Sequence, residues 1–291
     1  MIKLISFASN NYFKSAKALL HLGIERGFTS LQIFQPEDFI YLKKDITPAE
    51  SPFIDWKQRG SGYWRWKPHI VHKALSQSPL DSWVLYVDAG ILININSKDL
   101  LLLLHQEENH ASVHLWQNKK TEPIAHWTHP YVIEKLGLDP SQSVSPMLYS
   151  GMIAVKNDER GRDFIIKWKD LCDVDAFLFP ELLNISSNLP DFYVWHRHDQ
   201  SLLSIVATQN PLCVAIHSLD ETSLRPIFNI HRKSKKRYLF VIITRSVNRF
   251  LWHKIVDFLP TFFRKRVRTL LTKRKKIINS EELDRHKEFF Q

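Results

Sequence analysis

Cysteine is scarce in this 291-residue chain. Cys172 and Cys213 are the only two, and their spacing fits neither a metal cluster nor a disulfide framework, so a reducing compartment is expected. No uninterrupted run reaches the roughly 18 apolar residues that a membrane span needs. Met1 to Ala8 carries a single lysine and a short apolar stretch before Asn10 and Asn11, which does not read as a secretory signal. The dinucleotide fingerprint GxGxxG is also absent. What is present suffices for a packed core, with 44% hydrophobic and 12% aromatic residues, enough for one large domain or two modest ones.

Charge is unevenly placed. The net charge is +10, yet His231 to Gln291 holds 18 Lys and Arg against 5 Asp and Glu, leaving 22 against 25 before it. The body is therefore slightly acidic and the basicity belongs to a C-terminal segment, of the kind that binds anionic surfaces. A division into 1–232, a catalytic body, and 233–291, a basic extension, follows.

The body reads as alternating strands and helices. Lys3 to Phe7 is an apolar strand, and Ala8, Ser9 and Asn10 are turn and cap material. Tyr12, Ala16, Leu19, Leu20 and Ile24 then recur at helical spacing up to Gly27, and Leu31 to Phe34 is a second strand. Such a βαβ opening implies an α/β fold whose first strand-to-helix turn, Ala8 and Ser9, often touches a nucleotide. Residues 36–62 read as a long surface loop. Trp83 to Asn94, WVLYVDAGILIN, is an apolar run interrupted by Asp88, Ala89 and Gly90. In open α/β sheets the ligand crevice lies outside the carboxyl ends of the strands, where Asp88 falls. The alternative is a turn-capping aspartate.

Two further clusters carry chemistry. Arg59, Gly60, Ser61, Gly62, Tyr63, Trp64, Arg65, Trp66, Lys67 and Pro68 are the densest aromatic and cationic stretch, and Pro68 suits the first turn of a helix. Lys67 at that N-terminus, with Arg59 and the flanking glycines, reads as a diphosphate cradle, or else as an aromatic surface cluster. His196, Arg197, His198, Asp199 and Gln200 precede a helix with Leu202, Leu203, Ile205 and Val206. Asp199 is there either a catalytic carboxylate or a helix cap. Ser150 and Gly151 open a short strand and offer bare backbone, and His231 is a lone histidine before the basic segment.

In order, RGSGYWRWKPHIVHKAL, VLYVDAGILIN, HWTHPYVIEKLGLD, SGMIAVKN and HRHDQSLLS resemble bacterial sugar-nucleotide-dependent glycosyltransferases of the GT-A fold, over roughly Phe7 to His231. The resemblance implies a GT-A-like, Rossmann-like, mostly parallel central sheet flanked by helices. It also implies transfer of a sugar from a nucleotide diphosphate sugar to a glycan or lipid-linked acceptor. YVDAG is similar to a metal-binding DxD, with Gly90 where the second acid would stand, so Asp88 alone carries over. The expected roles are Asp199 and Gln200 in catalysis; Ala8, Ser9, Arg59, Tyr63, Trp64, Lys67, Asp88, Ala89, Gly90 and Arg197 at the donor; and Ser150, Gly151 and His198 at the acceptor or sugar. Asp88 and His231 would hold a divalent cation, Mn or Mg; without it, Arg59, Lys67 and Arg197 would supply the positive charge. HDQS is similar to elements of retaining families, although inversion stays open.

Other classes remain open. A nucleotidyltransferase would normally show a Gly-rich loop after the first strand, where this chain has FASNNYFKS. A non-enzymatic basic protein acting through its tail would be the third class, but nucleic-acid binding is not expected of a net-acidic body. In the tail, Leu251, Ile255, Phe258, Leu259, Phe262, Phe263, Val267, Leu270 and Leu271 recur at helical spacing among Arg264, Lys265, Arg266, Arg268 and Lys273 to Lys276, with Pro260 midway. That pattern predicts a helix lying in an anionic membrane interface, hence a cytoplasmic protein peripheral to the inner leaflet, or a helix packed on the body.

Overall fold

A computed structural model of the chain describes residues 1–9, 12–36, 38, 60–91, 93, 95–106, 111–117, 122–181, 183, 185 and 189–218. Arg59, His231, most of the expected 36–62 loop, the 232/233 boundary and the basic tail lie outside the described residues.

Six strands form one mixed sheet: β1 (Ile2–Phe7), β2 (Ser30–Phe34), β3 (Trp83–Val87), β4 (Val113–Gln117), β5 (Tyr149–Lys156) and β6 (Val214–Ser218), in the spatial order β2-β1-β3-β5-β4-β6. β1 pairs in parallel with β2 and β3, and β4 with β6; β5 runs antiparallel to both its neighbours. Five strands thus share one direction. β3, WVLYV, is buried along its whole length, which is why its sequence shows no polar alternation.

Side chains alternate between two cores. Ile5, Phe7, Val84, Tyr86, Ile153 and Val155 face helices Trp66–Ser76, Glu159–Cys172 and Asp199–Gln209. Leu4, Leu85, Val87, Met152 and Ala154 face the other side, with Leu19 of helix Phe13–Glu25 and Leu100 and Leu104 of helix Ser97–Gln106. This is an α/β fold with helices on both faces of the sheet.

Two elements differ from the sequence expectation. The apolar run at 83–94 stops being a strand at Val87, where Ile91 N–H closes a turn onto the Asp88 carbonyl at 2.9 Å. Ile91 and Ile93 remain apolar because they are buried in the second core, not because they extend the sheet. β6 was not expected, since Val214–Ser218 is short and follows Pro211. Among the described residues no helix is long and apolar enough to cross a membrane.

Candidate active site

Three segments distant in sequence converge beyond the carboxyl end of β3. The two-residue period of a strand carries Asp88 to the same face as Val84 and Tyr86. There the Tyr86 hydroxyl donates to Asp88 Oδ1, and the Asp88 backbone N–H donates to the Gly151 carbonyl at 2.8 Å. The Asp88 side chain keeps 33% of its surface exposed.

Lys67 is the second residue of helix Trp66–Ser76 and is only 3% exposed. Its Nζ stands 3.2 Å from Asp88 Oδ1 and 3.3 Å from Asp199 Oδ2, and donates to the Ser150 carbonyl and hydroxyl, each at 3.3 Å. Two carboxylates and Ser150 thus enclose the ammonium, with Asp199 Oδ2 at ion-pair distance but accepting no hydrogen bond from it. A buried cation at the positive end of a helix is doubly unfavourable. Burial alone would lower the Lys67 pKa, but Asp199 and Asp88 more than reverse that and hold it above its ordinary value.

Asp199 opens helix Asp199–Gln209, where the helix N-terminus favours an anion. Its carboxylate reaches across to Lys67, and the N-cap residue, His198, makes no side-chain capping bond, so the cap alternative does not describe this end. Burial raises the Asp199 pKa to about 6, with Asp88 adding to the rise and Lys67 and the Ser150 hydroxyl opposing it. Asp199 is buried, which leaves Asp88 as the acid of the pair open to a ligand. Gln200 spends its side-chain amide on the Leu148 carbonyl at 2.7 Å, steadying the approach to Ser150.

His198 has a backbone φ of 52°, costly for a residue with a Cβ, and is held by its Nδ1–H on the Leu178 carbonyl at 2.8 Å. Tyr63 and Trp64 lie against its ring, with centroids 4.9 and 6.0 Å away. Those two belong to a left-handed turn, Gly60 to Trp64, with φ values of 60, 53, 93, 56 and 59°. Left-handed backbone costs roughly 1–2 kcal/mol for each residue bearing a Cβ. Several contacts hold it: Ser61 Oγ meets Ser9 Oγ at 3.1 Å, Trp66 Nε1 donates to the Gly60 carbonyl at 2.9 Å, and Phe7 stacks on Trp66 at 3.9 Å. The turn is thereby fixed beside the end of β1, where Ala8 packs against Ala89.

Of the expected site residues, Lys67, Asp88, Ser150, Gly151 and Asp199 are joined directly; Tyr63 and Trp64 meet His198, Ala8 packs with Ala89, Ser9 meets Ser61 and Gln200 bonds Leu148. A Cβ added at Gly90 meets nothing within 4 Å. Arg197 is exposed, its guanidinium 3.9 Å above the Trp127 ring. His196 is buried and kept neutral: burial drives its pKa well down, and Nδ1 accepts the His129 N–H at 3.2 Å.

Two tyrosines were missed by sequence reasoning. Tyr86 lies two residues before Asp88, so a strand places both on one face. Tyr149 lies two before Gly151, where an added Cβ would come within 2.4 Å of the phenol. The bare backbone at 151 thus accommodates Tyr149. Burial raises the Tyr149 pKa, with Asp88 and Asp199 adding to it, so it remains a hydroxyl.

A divalent ion asks for about six oxygen-rich ligands. Among the described residues no group of three His, Cys, Asp or Glu side chains is placed to hold one. Asp88 Oδ1 is already shared by Tyr86 and Lys67, and Asp199 Oδ2 faces the same ammonium. The described donor set does not fit a divalent cation, and His231 lies outside it.

No known protein-family profile and no curated protein sequence matches the chain. Among solved structures it is similar to mouse xyloside xylosyltransferase 1 in its apo form, with 8% identity, 75% of this chain and 86% of that one covered, and a TM-score of 0.42. It is similar to the galactosyltransferase LgtC in complex with donor and acceptor sugar analogues, with 14% identity, coverages of 75% and 74%, and a TM-score of 0.37. A glucose-1-phosphate thymidylyltransferase from Bacillus anthracis in complex with a sucrose gives 6% identity, coverages of 75% and 87%, and 0.38.

Proposed function

We propose that this chain is a glycosyltransferase that takes a sugar from a nucleotide diphosphate donor. The observation that carries the proposal is the Asp88 carboxylate, held by Tyr86 and Lys67 at the open end of β3 while a third of it stays accessible. Such an acid suits a sugar better than a diphosphate, because it accepts hydrogen bonds from hydroxyls and stabilises positive charge developing at an anomeric carbon. The open space at Gly90, beside the packed Ala8 and Ala89, lets a ligand approach backbone closely. The leaving diphosphate needs cations; Arg59 and Arg197 are the candidates, since Lys67 is buried between Asp88, Asp199 and Ser150. Asp199, buried, acts through Lys67 and is a positioning residue. Retention of anomeric configuration is supported by the resemblance of HDQS alone, and the NMR anomeric signal of the product decides it.

The test is turnover and thermal stabilisation across a panel of UDP-, GDP- and CMP-linked sugars, since a ligand that binds the folded state raises its melting temperature. Asp88→Asn is expected to fold and to lose turnover, and full turnover in that variant would refute the assignment. Formation of an activated sugar from a nucleoside triphosphate and a sugar phosphate would instead make it a nucleotidyltransferase. We further propose a glycan or lipid-linked acceptor and attachment of the 233–291 segment to the cytoplasmic leaflet. The support is that segment's charge and apolar spacing, with each Lys or Arg contributing about 1 kcal/mol near an anionic surface. Liposome co-sedimentation checks it: binding should need anionic lipid, weaken with salt and vanish on truncation after Thr244, whereas equal binding to neutral vesicles would refute attachment by charge.

A further inference from the structure

We infer that the Lys67 ammonium is the resident cation of this site, standing where a divalent ion would have to bridge Asp88 and Asp199, so that this acid pair works without a metal. The inference rests on the glycosyltransferase reading for its meaning, though not for its geometry.

Asp199 is buried and its neighbour Asp88 is a third exposed. Asp88 Oδ1 and Asp199 Oδ2 lie 3.2 and 3.3 Å from one nitrogen, so they are close enough to repel each other strongly where water is excluded. A positive charge between the acids relieves that repulsion while both stay ionised. A metal would supply it through oxygens at about 2.0–2.6 Å. Here a side chain of the chain itself supplies it, and the surroundings are built around that side chain. The Ser150 carbonyl and hydroxyl complete its shell at 3.3 Å, and the Tyr86 ring lies 5.6 Å from Nζ. Lys67 is also on the first turn of a helix and nearly inaccessible to solvent. A second cation at the same place would meet the ammonium at contact distance. Gly90 agrees with this, for the position after Ala89 that could hold another acid has room for a side chain and carries none.

Two consequences follow for the reaction. Asp88 presents to a ligand a carboxylate partly neutralised by a fixed charge, which suits hydrogen bonding to sugar hydroxyls. Diphosphate neutralisation falls to cations elsewhere in the chain.

Manganese binding to the protein alone, followed by the loss of the free-ion electron paramagnetic resonance signal, tests the inference without a donor. The wild-type protein should show no manganese site that Asp88→Asn removes, and millimolar manganese should leave its melting temperature unchanged. Lys67→Ala, which leaves the acids facing each other, should gain one site at least about tenfold tighter than any in the wild type, and Asp88→Asn in that background should abolish it. A wild-type manganese site lost in Asp88→Asn overturns the inference, whether or not His231 shares it. A folded Lys67→Ala protein that gains no site overturns it too. If Lys67→Ala does not fold, Lys67→Met preserves side-chain length for the same measurement, and the wild-type arm decides on its own. Absence of any sugar transfer would defeat the proposed function and leave this result standing.

Discussion

Replacing Tyr86 by Phe isolates one bond. The ring is fully buried beside Trp66, with centroids 6.3 Å apart, and Phe retains that packing. What disappears is the phenolic O–H donated to Asp88 Oδ1. Burial first, and then the Asp88 charge, raise the Tyr86 pKa far enough that the group is a donor at any working pH. Hydrogen bonds to charged groups contribute about 1.5 to 3 kcal/mol. Because Asp88 is a third exposed, water recovers part of the loss, and Lys67 still compensates its charge. The lower end applies: about 1.5 kcal/mol, or roughly tenfold in turnover. Steady-state kinetics with the donor that the panel identifies should show the loss in kcat, with little change in acceptor KM, and the melting temperature should stay close to wild type. Unchanged kcat would show that Tyr86 does not orient the acid. Gross unfolding would show that the hydroxyl serves packing alone.

Two other outcomes are expected. Asp199 has its pKa raised from 3.8 to about 6, so between those values the folded protein holds a proton that the unfolded chain has released; stability therefore falls as pH rises through that window and is level above it. If the ionised acid is what holds Lys67 in place, kcat/KM of the wild type rises through about pH 6; Lys67→Gln, which removes the charge that lowers the Asp199 pKa, should move the upper edge of the stability window to higher pH, and an unmoved edge would refute the coupling. Gly151→Ala drives a methyl into the Tyr149 phenol, an overpacking that costs about 1 to 3 kcal/mol, and should lower both melting temperature and turnover; wild-type values for both would show that Tyr149 yields freely.

Much of this arrangement was legible in the sequence, but not its electrostatics. β1, β3 and helix Phe13–Glu25 follow from apolar spacing, and Asp88 stands out because a lone acid ends a buried run. Lys67 and Asp199 were visible as a cation and an anion at two helix N-termini. For Lys67 that position suggested a phosphate ligand, and only the reach of its side chain to Asp88, Asp199 and Ser150 turns it into an internal counter-charge. No local pattern encodes that pairing, since its members come from separate elements. The left-handed turn at 60–64 was hidden for a similar reason. Gly60 and Gly62 permit it, while Ser61, Tyr63 and Trp64 are held in it by contacts with Ser9, Trp66 and His198 that lie elsewhere in the sequence. Tyr86 and Tyr149 were within reach, since each lies one strand period before a residue already singled out, Asp88 and Gly151.

The reversed direction of β5 brings the beginning of one strand to the end of another. Gly151 therefore meets Asp88 through a ladder bond, from the Asp88 amide to the Gly151 carbonyl, in continuation of the Val87 to Met152 pairing. Site backbone that is part of a sheet exchanges its amide hydrogens on the timescale of sheet opening, not of loop motion. The Asp88 amide is thus an internal clock for the site: its deuterium uptake reports how often β3 and β5 separate at that end, with no substrate present, and it distinguishes a variant that has lost a functional group from one that has lost the strand pairing behind it.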